Sequence, residues 1–226
     1  MHKQMVVGIG TGRCGTVSLH ALLNRQPGVH ITHEQLPLLP WNSAPKILEK
    51  KLSKILKRRA PIVGDIATSW LPYVRDVLSK QPSAKFVCLQ RDRNATVQSF
   101  VVKMKGRKNH WLLHDGERWK KDRKWDPCFP KYDTSELALA IGWYWDDYYR
   151  QVDLLCAEFP DNMRKWQTEQ ALDSPQGIKE LLSFIGVSEC DQNCTVGIKL
   201  NRGGVRAQSH PPKGLLRVRN LFRQDR

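Results

Sequence analysis

Apolar positions first gather in the short run Gln4 to Ile9, which ends in glycines, and Val17, Leu19, Leu22 and Leu23 then recur at helical spacing within 14–25. This is the pattern of a strand, a glycine-rich turn and a helix. Within 43–59, Ile47, Leu48, Leu52, Ile55 and Leu56 share one face, with Lys50, Lys51, Lys54, Lys57 and Arg58 elsewhere. An amphipathic helix with a solvated basic face is expected. Pro61 opens a strand over 62–66, a helical stretch follows near 71–80, KFVCLQ (85–90) reads as a buried strand, and a helix begins at about Asn94. Asp133 and Glu136 have capping-box spacing ahead of a stripe of Leu137, Ile141, Tyr144, Tyr148, Val152 and Leu155, read as core packing. A strand over 163–167, a helix over 174–185 stopped by Gly186, and a glycine-rich basic tail from Lys199 complete the pattern, without internal repeats. Strands alternating with helices predict an α/β fold: a three-layer parallel sheet with helices on both faces. Ligands in such sheets bind beyond the carboxyl ends of the strands, where the first glycine-rich turn sits.

The 226 residues fit one domain over 1–226, and 40% hydrophobic residues exclude global disorder. Against 22 Asp and Glu stand 37 Lys and Arg, a formal charge of +15, so the surface attracts phosphates, sulfates, acidic glycans or nucleic acid. No apolar run reaches the ~20 residues of a membrane span, and MHKQMVVGIG lacks the apolar stretch of a secretory signal. A cytoplasmic location is expected. Cysteines 14, 88, 128, 156, 190 and 194 lack zinc-site spacing, so they read as reduced thiols, and no metal is expected. The stretch 103–131 is basic, rich in Trp and too long for a connector, which makes it a candidate lid or substrate loop. Its nine Lys and Arg before residue 125 favour a polar or acidic acceptor, and 211–226 reads as a basic, flexible tail.

The turn Gly8-Ile9-Gly10-Thr11-Gly12-Arg13-Cys14-Gly15-Thr16 joins the first strand to a helix, so its backbone N–H groups and the helix dipole suit an oxyanion. Gly10 and Gly15 match the outer glycines of the nucleotide-binding pattern GxxxxGK[ST], but Thr16 and Val17 stand where Lys and Ser/Thr belong. An ordinary magnesium-dependent ATPase or GTPase is disfavoured.

TGRCGTVSL resembles the 5′-phosphosulfate loop of the sulfotransferases, [PG][KR]SGTxxL, with Cys14 in place of serine. Arg91 and Ser99 in LQRDRNATVQSF resemble that family's second motif, an Arg at a strand end and a Ser eight residues on. The segment TEQALDSPQGIKELLSFIGV gives weaker support. The resemblance implies a P-loop-like fold and transfer of a sulfuryl group from 3′-phosphoadenosine 5′-phosphosulfate (PAPS) to a hydroxyl or amine, leaving 3′-phosphoadenosine 5′-phosphate (PAP). It also implies donor contacts from Thr11, Gly12, Arg13, Cys14, Gly15, Thr16, Val17, Arg91 and Ser99, and from Arg202, Gly203 and Gly204 in NRGGVR. Arg13 is the implied electrostatic catalyst. RQPGVHITHEQ has the short-strand layout in which the glycan and protein-tyrosine branch carries a base, at Glu34; neighbouring His33 matches the small-molecule branch. Residues on an extended segment alternate sides, so one of the two should face the donor. The glycan branch's Glu-Lys-[ST]-Pro stretch is replaced by GDIATSW, with Asp65 kept and Ile66 at the lysine position. An atypical P-loop kinase or a nucleotide-binding protein without turnover and, below them, a nucleic-acid binder using the basic Trp-rich stretch are the alternative readings.

Overall fold

The structure is a computed structural model, and it describes residues 3–104, 109–113, 119 and 121–197. Five parallel strands form one sheet in the order β2-β3-β1-β4-β5: β1 (Gln4–Ile9), β2 (Val29–His33), β3 (Ile62–Ile66), β4 (Lys85–Gln90) and β5 (Met163–Gln167). The period-two side-chain rule divides β1 between two layers. Met5, Val7 and Ile9 enter a cluster with Leu48, Leu52 and Ile55 of α2 (Pro45–Leu56), Val74 and Val77 of α3 (Val74–Lys80) and Tyr144, Tyr148 and Val152 of α5 (Leu137–Glu158). On the opposite face, Val6 joins Leu19, Leu22 and Leu23 of α1 (Thr16–Leu23), Leu172 of α6 (Thr168–Leu172) and Ile178, Leu181 and Leu182 of α7 (Pro175–Phe184). This is the expected three-layer arrangement. α4 (Arg93–Lys103) leads from β4 toward the 109–129 segment.

Several boundaries differ from the pattern in the sequence for identifiable reasons. Strand β2 carries only one fully buried apolar side chain, Ile31, so it has little periodic signal. The helical stretch after β3 opens as a 3₁₀ turn, Thr68–Tyr73, around Pro72, and becomes α-helical at Val74. Asp133 and Glu136 form no capping box: Glu136 is itself the N-cap of α5, without a side-chain cap, and its N–H donates to Thr134 Oγ1. α4 and α7 are capped as residue type predicts, by Asp92 accepting from Ala95 N–H (2.8 Å) and Ser174 accepting from Gly177 N–H (3.0 Å). The largest departure is Lys51. It is 1% exposed, because its position three residues after Leu48 and four before Ile55 puts it on the buried face of α2. All six cysteines are free thiols. No helix among the described residues is long and apolar enough to cross a membrane.

Candidate active site

The turn 10–15 lies at the carboxyl end of β1, in the middle of the sheet. Gly15 is the N-cap of α1 at φ 95, and a Cβ there would lie 2.7 Å from the methyl of Thr168. Only glycine meets both demands. The first N–H groups of α1, which like those of any helix lack intrahelical acceptors, have no side-chain cap, so with the positive end of the dipole they are suited to hold an anion.

Tyrosines of α5 fix this turn from behind. Gly10 N–H donates to Tyr148 Oη (3.0 Å), which donates to Thr68 O (3.0 Å); Tyr144 Oη donates to Thr11 O (3.1 Å), and Tyr149 Oη to Leu89 O (2.7 Å). Burial raises all three phenols well above their ordinary value, so they remain protonated donors. Thr168 Oγ1 donates to Cys14 O (2.7 Å) from α6. The side chains of Thr11 and Cys14 are consequently turned into the core, and Gly10 N–H is already engaged. Gly12, Arg13, Gly15, Thr16 and Val17 line a cleft of about 960 Å³.

Two arginines of its lining, Arg13 and Arg91, are joined through the backbone of the first. Arg13 has a left-handed backbone (φ 57), and its Nε donates to Ser99 Oγ (2.9 Å) on α4. Arg91, just past β4, donates from Nη1 to Arg13 O (3.3 Å) and lies 3.7 Å from Glu169. Partial burial and then the charge of Arg91 pull the Arg13 guanidinium below its usual value, as expected of two cations held together. Two segments more than 70 residues apart thus supply one cationic centre. Arg202, Gly203 and Gly204 lie outside the described residues.

His33 and Glu34 both line the cleft, contrary to the alternation expected of an extended segment. The reason is local: Glu34 adopts φ 53, which breaks the two-residue repeat at the end of β2. His33 Nε2 shares a hydrogen bond with Thr16 Oγ1 (3.2 Å), and its Nδ1 lies 3.8 Å from Glu34 Oε2. Glu34 N–H donates to Ile66 O (2.9 Å).

The far wall comes from α4 and 109–129: Phe100, Lys103, Met104, His110, Trp125 and Phe129. Where described, the basic stretch turns Lys121, Arg123 and Lys124 to solvent and presents aromatic groups to the cleft. His110 stacks on Phe129 (5.3 Å between ring centres, 11° between planes), and its Nδ1 lies 2.8 Å from Asp126 Oδ1. Lys103 is the cation the motif reading missed. Desolvation and the charge of Arg13 lower it from the ordinary lysine value, while Glu34 opposes that shift. Its position four residues after Ser99, on the same helix face, was a usable signal. Nothing in the sequence marked the tyrosine clamp as more than core.

No family model and no curated protein sequence matches the chain. Among solved structures it is similar to a sulfotransferase from Alicyclobacillus acidocaldarius, at 15% identity and a TM-score of 0.53, over 88% of this chain and 87% of that one. It is also similar to mouse sulfotransferase SULT7A1 complexed with PAP, at 16% identity and a TM-score of 0.50, over 82% of this chain and 60% of the mouse chain. At these identities the likeness is one of fold, and it agrees with the parallel α/β architecture described above.

Proposed function

We propose that the protein is a sulfotransferase that moves a sulfuryl group from PAPS to a hydroxyl or amine. The carrying observation is the convergence of Arg13, Arg91 and Ser99 beside the uncapped N-terminus of α1. A ligand with anionic groups at both ends of a nucleotide suits that arrangement. Arg13 and the first N–H groups of α1 are assigned to the 5′-phosphosulfate, and Arg91 with Ser99 to the 3′-phosphate. The cleft is also large enough for a nucleotide together with a small acceptor group.

In the proposed reaction the acceptor oxygen or nitrogen attacks sulfur in line while its proton passes to a carboxylate oxygen of Glu34. A bond from sulfur to the acceptor forms, the bond from sulfur to the phosphate oxygen breaks, and the electron pair remains on PAP. Arg13 stabilises that developing charge, being a permanent cation and no proton donor. His33 holds Thr16 and sits beside Glu34, which makes it the alternative base. Lys103 faces the same junction from α4 and offers a cation to a polar acceptor. Cytoplasmic location and the single-domain boundary 1–226 belong to the same reading.

Calorimetry with PAP, AMP and ATP, followed by sulfuryl release from PAPS in the presence of acceptor panels, tests the assignment. Tight PAP binding and weak ATP binding are expected. Preferential ATP binding with phosphoryl transfer would move the protein to the kinase reading.

A further inference from the structure

Beneath the end of β2 lies a buried ionic network, outside the lining of the cleft, that holds the Thr32 side chain before Glu34 and the backbone of Gln35 and Pro37 after it. Lys51 Nζ and Asp65 Oδ2 lie 2.9 Å apart, with side chains 1% and 0% exposed. The ammonium also donates to Gln35 O (2.5 Å) and Pro37 O (3.1 Å), which leaves none of its three protons without a partner. Asp65 is equally committed: Oδ1 accepts from Thr32 Oγ1 (2.6 Å) and Gln35 N–H (3.1 Å), and Oδ2 from Trp70 Nε1 (3.1 Å). Arg58 completes the frame, donating to Gly64 O (2.9 Å), Thr32 Oγ1 (3.4 Å) and Gln35 Oε1.

These bonds fall on residues 32, 35 and 37, and Glu34 between them has the left-handed backbone that a residue with a Cβ rarely adopts. Such a conformation persists only where its surroundings determine it. A buried ion pair is a poor source of net stability, because an apolar pair of similar volume often does as well or better. A geometric role is the better account of a pair so fully bonded to one turn.

We propose that Lys51 and Asp65 are positioning residues whose function is to hold Glu34 in its left-handed turn, with the carboxylate beside His33 in the cleft that Arg13 also lines. The proposal rests on the reading of Glu34 as the base. It makes the lysine of α2 and the aspartate of β3 part of the catalytic apparatus without contact with donor or acceptor.

A double-mutant cycle tests it in the full chain. Asp65→Asn keeps the volume and an acceptor for Thr32 and Gln35 but turns the network against Lys51. It should leave PAP affinity within about threefold and lower kcat by about 10²-fold, the scale of an angstrom-sized misplacement. In a Glu34→Gln background the same substitution should change kcat by less than about threefold, because the group it positions is already gone. An equal loss in both backgrounds would overturn the positioning role while leaving the base assignment intact. If Glu34→Gln alone keeps wild-type kcat, the base assignment fails and the proposal falls with it. Should Asp65→Asn not fold, Thr32→Val removes one bond to Oδ1 from a half-buried position, and the same non-additivity is required of it.

Discussion

Arg91 gives the sharpest test of donor recognition, since its expected role is confined to a single phosphate. In the free protein its guanidinium is 37% exposed and lies 3.7 Å from Glu169, itself 54% exposed. Binding a 3′-phosphate therefore replaces a solvent-screened pair, worth about 0–1 kcal/mol, with a charge-assisted contact worth about 1.5–3 kcal/mol. The net gain is about 1–2 kcal/mol, so Arg91→Ala should weaken PAP binding by roughly 5- to 30-fold. AMP, without a 3′-phosphate, should bind the variant and the wild type alike. Glu169→Gln should act in the opposite sense, tightening PAP by up to about fivefold as the competing carboxylate is removed. Isothermal calorimetry of both ligands on the three proteins measures each term. If Arg91→Ala weakens AMP and PAP by the same factor, Arg91 does not read the 3′-phosphate, and the motif assignment loses its physical basis.

Other expected outcomes bear on the remaining parts of the cleft. Glu34→Gln should lower kcat by roughly 10²- to 10⁴-fold with donor affinity nearly unchanged, whereas Arg13→Ala should impair both; steady-state kinetics with PAP titration separates the two. Lys103→Ala should raise the KM of a negatively charged acceptor and leave PAP affinity unchanged, and a KM equal to wild type across acceptors removes Lys103 from the site. Tyr148→Phe takes the acceptor from Gly10 N–H and should destabilise the fold by about 1–3 kcal/mol, read as a lower midpoint of chemical denaturation. Burial raises the thiol pKa of Cys14 and Cys88, so both should resist alkylation at pH 8 in the native protein while exposed Cys190 reacts; mass spectrometry of the labelled chain reports the order.

The part of the cleft proposed for the donor was legible as a place where residues would meet, because those residues lie in short stretches at strand ends. Glycines at 10, 12 and 15, with Arg13, mark a turn whose backbone makes the site, and Arg91 and Ser99 keep a fixed offset across a strand-to-helix junction. The acceptor half was not, because its wall gathers Phe100, His110, Trp125 and Phe129 from separate stretches with no common spacing. Charge counting over 103–131 does not separate its cations: Lys103 lines the cleft, whereas Lys121, Arg123 and Lys124 are exposed outside that lining, and the others before residue 125 lie outside the described residues. Lys51 shows a different limit. Its spacing from Leu48 and Ile55, three residues after one and four before the other, places it on the buried face of α2, yet residue type led to the solvated reading. Residue type dominates such a reading unless a partner is known, and the partner, Asp65, is on another element.

The same distinction between counting and placing charge bears on how the cleft is prepared for its ligand. Arg13 and Arg91 repel each other, and Arg13 is partly desolvated; both effects disfavour the charged, folded arrangement without an anion. The framework must offset that cost in advance, and the neutral groups around the turn are placed to do so: Ser99 accepts from Arg13, Arg13 O accepts from Arg91, and the tyrosines and Thr168 hold the backbone. In the proposed function a dianionic phosphate would meet cations already fixed in position, so that little of the interaction would be lost to ordering long side chains. Glu34 follows the same principle with the opposite sign, a carboxylate kept near this positive centre by a turn that Lys51 and Asp65 hold from below. Arg13 and Glu34 thus share one feature: the backbone of each is held by groups that belong to other elements, Arg91 on the carbonyl of Arg13 and Ile66 on the N–H of Glu34.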